Sequence, residues 1–149
     1  MEPERSTAPA PSRVADRVTW LISRNYARSR GLLGDGFANS GSGLRSYHYR
    51  LLAALEEWGP MTQVELGRST AVDRSDVANV LAALEQRQLV QRSVDPTNRR
   101  RNIVAITAAG KRQLAELDRV VDAVQDEVLA PLSEAEQRQL AKLLRKLVS

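Results

Sequence analysis

The sequence contains no cysteine, few aromatic residues and no long apolar run. The absence of cysteine excludes disulfides, thiolate zinc sites, thiol nucleophiles and cysteine-based redox sensing. Aromatic residues make up only 4% of the chain, so a core has to be built mainly from Leu, Val, Ile and Ala. No apolar run is long enough to cross a bilayer, so we expect no membrane segment. The lack of cysteine fits a cytoplasmic location, and we expect neither a metal nor a cofactor.

Residues 1–11 differ from the rest of the chain. They contain three prolines and two glutamates and lack the apolar stretch of a secretory signal, so we predict a disordered tail. The full chain is 42% hydrophobic and 27% charged, an ordinary composition for one globular domain with appended helices.

The positive charge is concentrated in one segment. The whole chain carries a net charge of +4, yet residues 86–112 contain seven basic residues and a single acid. The rest of the chain is therefore slightly acidic. A basic segment on a nearly neutral body is typical of a protein with an anionic partner, and nucleic acid is the first candidate.

Apolar spacing predicts two helices in the first part of the chain. The first covers residues 12–32, and the second covers residues 44–58 and ends at Gly59 and Pro60. Five of the eight glycines lie in the intervening residues 31–43, which predicts a flexible connection. A phosphate-binding loop does not fit there, because no strand precedes the glycines and no Gly-Lys-Ser/Thr follows them.

A helix-turn-helix is predicted next. Thr62 and Glu65 have the spacing of a capping box, which begins a short helix that ends near residue 69. After a three-residue connection, Asp73 is a natural N-cap for a longer helix over residues 73–88. The inner face of this second helix is apolar and consists of Val77, Val80, Leu81 and Leu84.

A β-hairpin and two further helices complete the chain. Residues 89–94 and 103–106 are predicted strands around a turn at residues 95–98. Thr107 caps a helix to about residue 129, and a last helix begins after Ser133. The first of these helices has a heptad-like seam, which favours packing along another helix over packing onto a globular core. The seam consists of Leu114, Leu117, Val121, Val124 and Val128.

The order of these elements is that of a winged helix-turn-helix, whose second helix enters the major groove of DNA. The expected contacts lie near the N-terminus of that helix, off its apolar stripe: Arg74, Ser75, Asp76 and Asn79. Arg74 suits guanine or phosphate, Ser75 suits phosphate and Asn79 suits adenine. Asp76 either accepts from cytosine or only satisfies the N–H groups of the first helical turn.

Three consecutive arginines, Arg99, Arg100 and Arg101, lie at the hairpin tip. An arginine there can enter a narrow minor groove while its neighbours hold phosphates. Three consecutive arginines on their own are usually solvated surface residues. Their position beside a helix-turn-helix favours DNA contact.

These residues resemble the MarR family of bacterial regulators, over nearly the whole chain. The most specific stretches are residues 73–79 (Asp-Arg-Ser-Asp-Val-Ala-Asn), 89–92 (Leu-Val-Gln-Arg), 95–101 (Asp-Pro-Thr-Asn-Arg-Arg-Arg) and 104–110 (Val-Ala-Ile-Thr-Ala-Ala-Gly). The family usually has an aspartate two residues before the wing arginine, where this chain has Asn98 before Arg100. The resemblance implies that Arg100 enters the minor groove, with a hydrogen bond from Asn98 in place of the usual salt bridge.

The resemblance also implies a homodimer that regulates transcription, most commonly by repression, on a pseudo-palindromic operator. The expected fold class is mainly α with a small β-hairpin wing, a winged helix-turn-helix joined to a helical dimerisation region. After the tail, we expect an N-terminal dimerisation helix and flexible loop in residues 12–43, the DNA-binding region in residues 44–110 and dimerisation helices in residues 111–149.

A small anionic or aromatic effector is a further implication of the resemblance. The candidate contacts lie where the dimerisation helices meet the DNA-binding region: Arg17, Trp20, Arg24, Arg45, Tyr47 and His48. His48, the only histidine, is either a hydrogen-bonded core or interface residue, or it contacts the effector or senses pH. One histidine cannot form a metal site.

Two other functions fit the sequence less well. An enzyme would need a catalytic set or a nucleotide motif, and neither can be assembled from these residues. The alternative is a winged helix that contacts only proteins and reads no DNA directly, but such a module has no need of three arginines at its wing tip.

Overall fold

The computed structural model describes residues 11–149, so most of the predicted tail lies outside the described residues. The helices are α1 (Ser12–Ala15), α2 (Val18–Asn39), α3 (Ser46–Trp58), α4 (Gln63–Thr70), α5 (Arg74–Gln86), α6 (Ala108–Leu129) and α7 (Glu134–Val148). The strands are β1 (Met61–Thr62), β2 (Val90–Asp95) and β3 (Asn98–Ile106). The predicted fold class, mainly α with a small β wing, is confirmed. No helix in this part of the chain has the length and apolar character needed to cross a membrane.

The glycine-rich stretch of residues 31–43 is mostly helical, and the prediction of a flexible loop there is wrong. A Cβ on Gly36 would lie 2.9 Å from a methyl group of Val124 and 3.2 Å from one of Val120. Glycine at this position therefore allows α2 to approach α6 closely. The neighbouring Phe37 is buried in the core, at 2% exposure. This packing outweighs the low helix propensity of glycine, a penalty of about 1 kcal/mol per residue.

Most predicted helix starts carry the predicted caps. Thr62 and Ser133 each accept a hydrogen bond from the backbone N–H three residues later, and each forms a capping box. Thr107 caps α6 in the same way. Asp73 occupies the N-cap position of α5, but its side chain makes no capping hydrogen bond, contrary to expectation. Residues 16–17 also interrupt the first predicted helix, which separates α1 from α2.

The strands form one antiparallel sheet in the order β1-β3-β2. The hairpin of β2 and β3 was predicted, whereas β1 was not. In β1, Met61 pairs with Val104 and Thr62 pairs with Ile103. A strand of two residues shows no alternation in the sequence, so only the tertiary structure reveals it. Its pairing places the start of α4 against the wing.

One apolar core joins the helix-turn-helix, the sheet and α6. Leu114 and Leu117 of the predicted seam are buried in this core, so the expectation that the seam avoids a globular core is wrong for this part. Val124, further along α6, is buried where Gly36 brings α2 close. The seam thus packs within its own chain, and the core continues past residue 110.

Candidate nucleic-acid interface

The first turn of α5 is open to solvent on the side away from the core. Arg74, Ser75 and Asn79 are exposed and Asp76 is half-buried. The opposite face is buried and consists of Val77, Val80, Leu81 and Leu84. The division into an inner and an outer face is therefore the one that the sequence predicted.

The turn between α4 and α5 fixes the angle at which α5 is presented. Ala71 ends α4 in the left-handed conformation, with φ of 54°. The side chain of Val72 is buried, at 6% exposure. Arg50 of α3 donates from its guanidinium group to the carbonyl oxygen of Thr70, 3.3 Å away. These contacts hold the start of α5 outward from the core.

The wing tip is a tight turn followed by a wide bulge. One carboxylate oxygen of Asp95 accepts hydrogen bonds from the N–H of Thr97 at 2.9 Å and from its hydroxyl at 2.7 Å. Asp95 pairs with Asn98, but the adjacent Val94 pairs with Asn102. Residues 99–101 therefore have no partner on β2. A bulge of this kind redirects side chains at the end of a ladder, and here it contains all three wing arginines.

Asn98 holds the backbone of the bulge. Its side-chain oxygen accepts a hydrogen bond from the N–H of Arg100, with an N···O distance of 3.1 Å. The amide oxygen thus orients Arg100 through its main chain, and the bond does not involve the guanidinium group. The sequence predicted that a hydrogen bond of Asn98 keeps part of the wing geometry, and the bond to the N–H of Arg100 is such a hydrogen bond.

The arginines of the predicted interface are not neutralised by the protein. Within residues 11–149, no acid lies within 4.0 Å of the charged groups of Arg74, Arg99, Arg100 or Arg101. Hydrogen bonds from Thr97 lower the pKa of Asp95, and the charge of Arg101 adds a smaller effect. The positive groups remain available to an external anion.

Two other basic residues of the segment have acidic partners that the sequence did not reveal. Arg92 Nε lies 2.6 Å from Glu85 Oε2, and Lys111 Nζ lies 3.6 Å from Glu56 Oε2. Both pairs join residues of different elements, so no helical or strand spacing announces them. Fewer basic side chains of the segment are therefore available to an external anion than its formal charge suggests.

One cleft brings α5 and the wing together. Arg74 of α5 lines it together with Arg100, Arg101 and Asn102 of β3. The other lining residues are Thr62 at the end of β1 and Gln63, Val64 and Arg68 of α4. Its volume is 390 Å³. Arg68 was missed by the sequence reasoning, which considered only the second helix and the wing. No local pattern marks it, because α4 meets the wing strand β3 only through tertiary packing.

The expected effector contacts are divided between two places. In α2, the Arg24 guanidinium lies over the ring of Trp20, 5.7 Å from its centre. Around α3, Arg50 lies over Tyr47 at 5.3 Å. A shallow cavity of 560 Å³ lies between α2 and the start of α3, and Arg45 is the one expected contact that lines it. Arg17 donates from Nε to the carbonyl oxygen of Arg13, 3.4 Å away, and lines neither of these places.

His48 is part of a helix cap. Its Nδ1 accepts a hydrogen bond from the N–H of Arg45 at 3.0 Å. Burial lowers the pKa of His48 below its ordinary value, and the positive charge of Arg87 lowers it further. The hydrogen-bonded role that the sequence left open for His48 is therefore present in the structure.

Comparison with known proteins agrees with this geometry. The family model that describes the MarR family matches residues 44–101, from just before α3 to the last wing arginine. The transcriptional repressor NicR of Pseudomonas putida is 30% identical over 146 residues, which cover 96% of this chain and 91% of NicR.

Solved structures show the same architecture. A probable transcriptional regulator from Pseudomonas aeruginosa is 35% identical with a TM-score of 0.77, covering 89% of this chain and 97% of that one. BpsR of Bordetella bronchiseptica, whose DNA binding is regulated by 6-hydroxynicotinic acid, is 26% identical with a TM-score of 0.80, covering 95% and 99%. The chain therefore belongs to the MarR family and is a DNA-binding transcriptional regulator.

Proposed function

We propose that the protein is a homodimeric, sequence-specific repressor that binds a pseudo-palindromic operator in the cytoplasm and acts without catalysis. One observation supports this most: Arg74 from the first turn of α5 and Arg100 and Arg101 of the wing line a common cleft. In the proposed complex, α5 enters the major groove and Arg100 enters the adjacent minor groove.

The proposed contacts divide into base and backbone recognition. Arg74 and Asn79 are exposed on α5 and offer the donors and acceptors that guanine and adenine pair with. Ser75, at the N-terminal end of the same helix, suits a phosphate. Arg99 and Arg101 flank Arg100 in the bulge and hold the neighbouring phosphates.

The dimer is proposed from apolar surface at both ends of the chain. Val18, Leu21 and Ile22 of α2 are between 45% and 66% exposed, and the side chains of α7 are uncovered in the same way. The exposed apolar residues of α7 are Leu143, Leu144, Leu147 and Val148. A second copy of the chain, joined by two-fold symmetry, would cover these faces. NicR is a transcriptional repressor and aligns with this chain over nearly the full length of both, which supports repression as the outcome.

The selection of bound duplexes from a random pool tests this proposal. We expect one family of sites in which two inverted half-sites are separated by one helical turn, about 10 base pairs from centre to centre. Enrichment of a single, unsymmetrical half-site would contradict the dimer. A failure to enrich any sequence would contradict sequence-specific binding and favour a module for protein contact.

We also propose that a carboxylated aromatic molecule weakens operator binding. BpsR, whose DNA binding responds to 6-hydroxynicotinic acid, supports this class of effector. Arg45 with the adjacent cavity and the Trp20–Arg24 pair are the candidate contacts. Operator release should be titrated with 6-hydroxynicotinic acid for wild type and His48→Ala. Identical curves would remove His48 from the site, and the absence of release would reject this ligand.

A further inference from the structure

The cleft that is lined by α4, the start of α5 and the wing contains arginines from all three elements. Arg68 comes from α4, Arg74 from α5, and Arg100 and Arg101 from β3. Nothing in the DNA contacts proposed above uses Arg68. A concentration of positive charge around one opening attracts an anionic partner.

Arg68 is held at this place by the packing of α4. The helix is anchored by the fully buried side chain of Leu66 and begins at the capping box of Thr62. The guanidinium of Arg68 is exposed and has no acid within 4.0 Å among the described residues. Glu65, three residues earlier, is the acid nearest in sequence, and its carboxylate accepts the N–H of Thr62 at 2.9 Å. The donors of Arg68 are thus free to bind an external anion.

The geometry of duplex DNA identifies that anion. In the proposed complex, α5 lies in the major groove and the tip of the wing lies in the minor groove next to it. The only part of the duplex that separates adjacent grooves is a sugar–phosphate strand. This strand must therefore pass between α5 and the wing, which is where the cleft opens.

We infer that Arg68 is a DNA-binding residue, and that it binds a backbone phosphate of the strand that crosses the cleft. The inference rests on the proposed function and extends it to α4. Arginine suits this role, because its planar guanidinium can donate two parallel hydrogen bonds to phosphate oxygens. The contact carries no sequence information and positions the protein on the duplex.

A double-mutant cycle between protein and DNA tests the inference. The protein variants are Arg68→Gln and, as a matched control, Arg119→Gln, an exposed arginine of α6 that lines none of the interface. The DNA variants are operator duplexes in which one phosphate at a time is replaced by an uncharged methylphosphonate. Both changed residues are exposed, so each variant should fold like wild type. Thermal unfolding of each variant verifies this.

We expect Arg68→Gln to weaken binding of the unmodified operator about tenfold, the size of a charged hydrogen bond, and to do so for every sequence alike. At one phosphate in each half-site, neutralisation should weaken wild type and Arg119→Gln but leave Arg68→Gln nearly unchanged. If wild type binds the operator and no phosphate shows this coupling, the inference fails while the proposed function stands. If wild type binds no duplex, the proposed function fails and the inference fails with it.

Discussion

Glu85 on the recognition helix α5 and Arg92 on strand β2 form an ion pair with an N···O distance of 2.6 Å. The Arg92 side chain is 27% exposed and that of Glu85 is 43% exposed. Within residues 11–149, this pair is a direct polar contact between the helix proposed to enter the major groove and the wing proposed to enter the minor groove. We expect it to help set the spacing of the two.

A double-mutant cycle with Glu85→Gln and Arg92→Gln should therefore reveal two effects. The coupling free energy of unfolding should be modest, about 0.5–1 kcal/mol, because the pair is partly solvated. Operator affinity should fall severalfold in each single mutant, since the wing is less firmly placed. Denaturant unfolding and operator titration measure the two quantities.

The pair of Lys111 and Glu56 is the control for this cycle. Its N···O distance is 3.6 Å, and Lys111 is 57% exposed where Arg92 is 27% exposed, while the two glutamates are nearly equally exposed. Their exchange for glutamine should give a coupling near zero and leave operator affinity unchanged. Equal coupling in the two cycles, or full affinity in Glu85→Gln, would show that the ion pair does not position the wing.

The side-chain oxygen of Asn98 should be required for wing function. Asn98→Ala removes the acceptor for the N–H of Arg100 and should lower operator affinity by about 1 kcal/mol, with little change in the melting temperature. Asn98→Asp keeps the oxygen and should retain affinity. An Asn98→Ala variant that binds as tightly as wild type would remove this hydrogen bond from the account.

The carboxylate of Glu65 should oppose DNA binding. The hydrogen bonds with Thr62 lower the pKa of Glu65, and the charges of Arg101 and Arg68 add to this effect. The negative group therefore lies near the arginines of the cleft. Glu65→Gln keeps an acceptor for the capping box but removes the charge, so operator affinity should rise while the melting temperature changes little. Weaker binding in a folded Glu65→Gln variant would contradict this electrostatic picture.

His48 should be neutral at pH 7 and should make stability depend on pH. Because burial and then Arg87 lower its pKa in the folded state, the unfolded chain binds the proton more readily. The free energy of unfolding should therefore decrease as the pH falls below the unfolded-state pKa, near 6.5.

The histidine ring signal gives a direct measurement, since His48 is the only histidine. Its NMR titration should have a midpoint below 6.5. The control is His48→Asn, whose amide oxygen can replace Nδ1 as the acceptor for Arg45 and which should lose the pH dependence from this group. A midpoint at or above the ordinary value would overturn the assignment.

Local patterns in the sequence were enough to predict much of the fold. The spacing of Val77, Val80 and Leu81 identified the buried face of α5 and thereby the outward position of Asn79. Capping at Thr62 and Thr107 located the starts of α4 and α6. These features depend on residues a few positions apart, which is the range that periodicity and capping rules describe.

Apart from the missing Asp73 cap and the break at residues 16–17, the failures of prediction are tertiary. Residues 31–39 are helical because Gly36 packs against α6, a contact that overrides the propensity of glycine. Arg68 joins the interface because α4 and β1 pack against β3. The partner of Arg92 comes from a different element of the fold. None of these relationships has a fixed spacing in the chain.

The dependence of operator affinity on salt tests the central claim, that α5 and the arginine wing together bind duplex DNA, most directly. A dimer that makes six or more phosphate contacts should lose affinity with a slope of log K against log salt of about −5 or steeper. Arg100→Ala should make that slope shallower. A slope near zero for wild type, or one that Arg100→Ala leaves unchanged, would contradict the account.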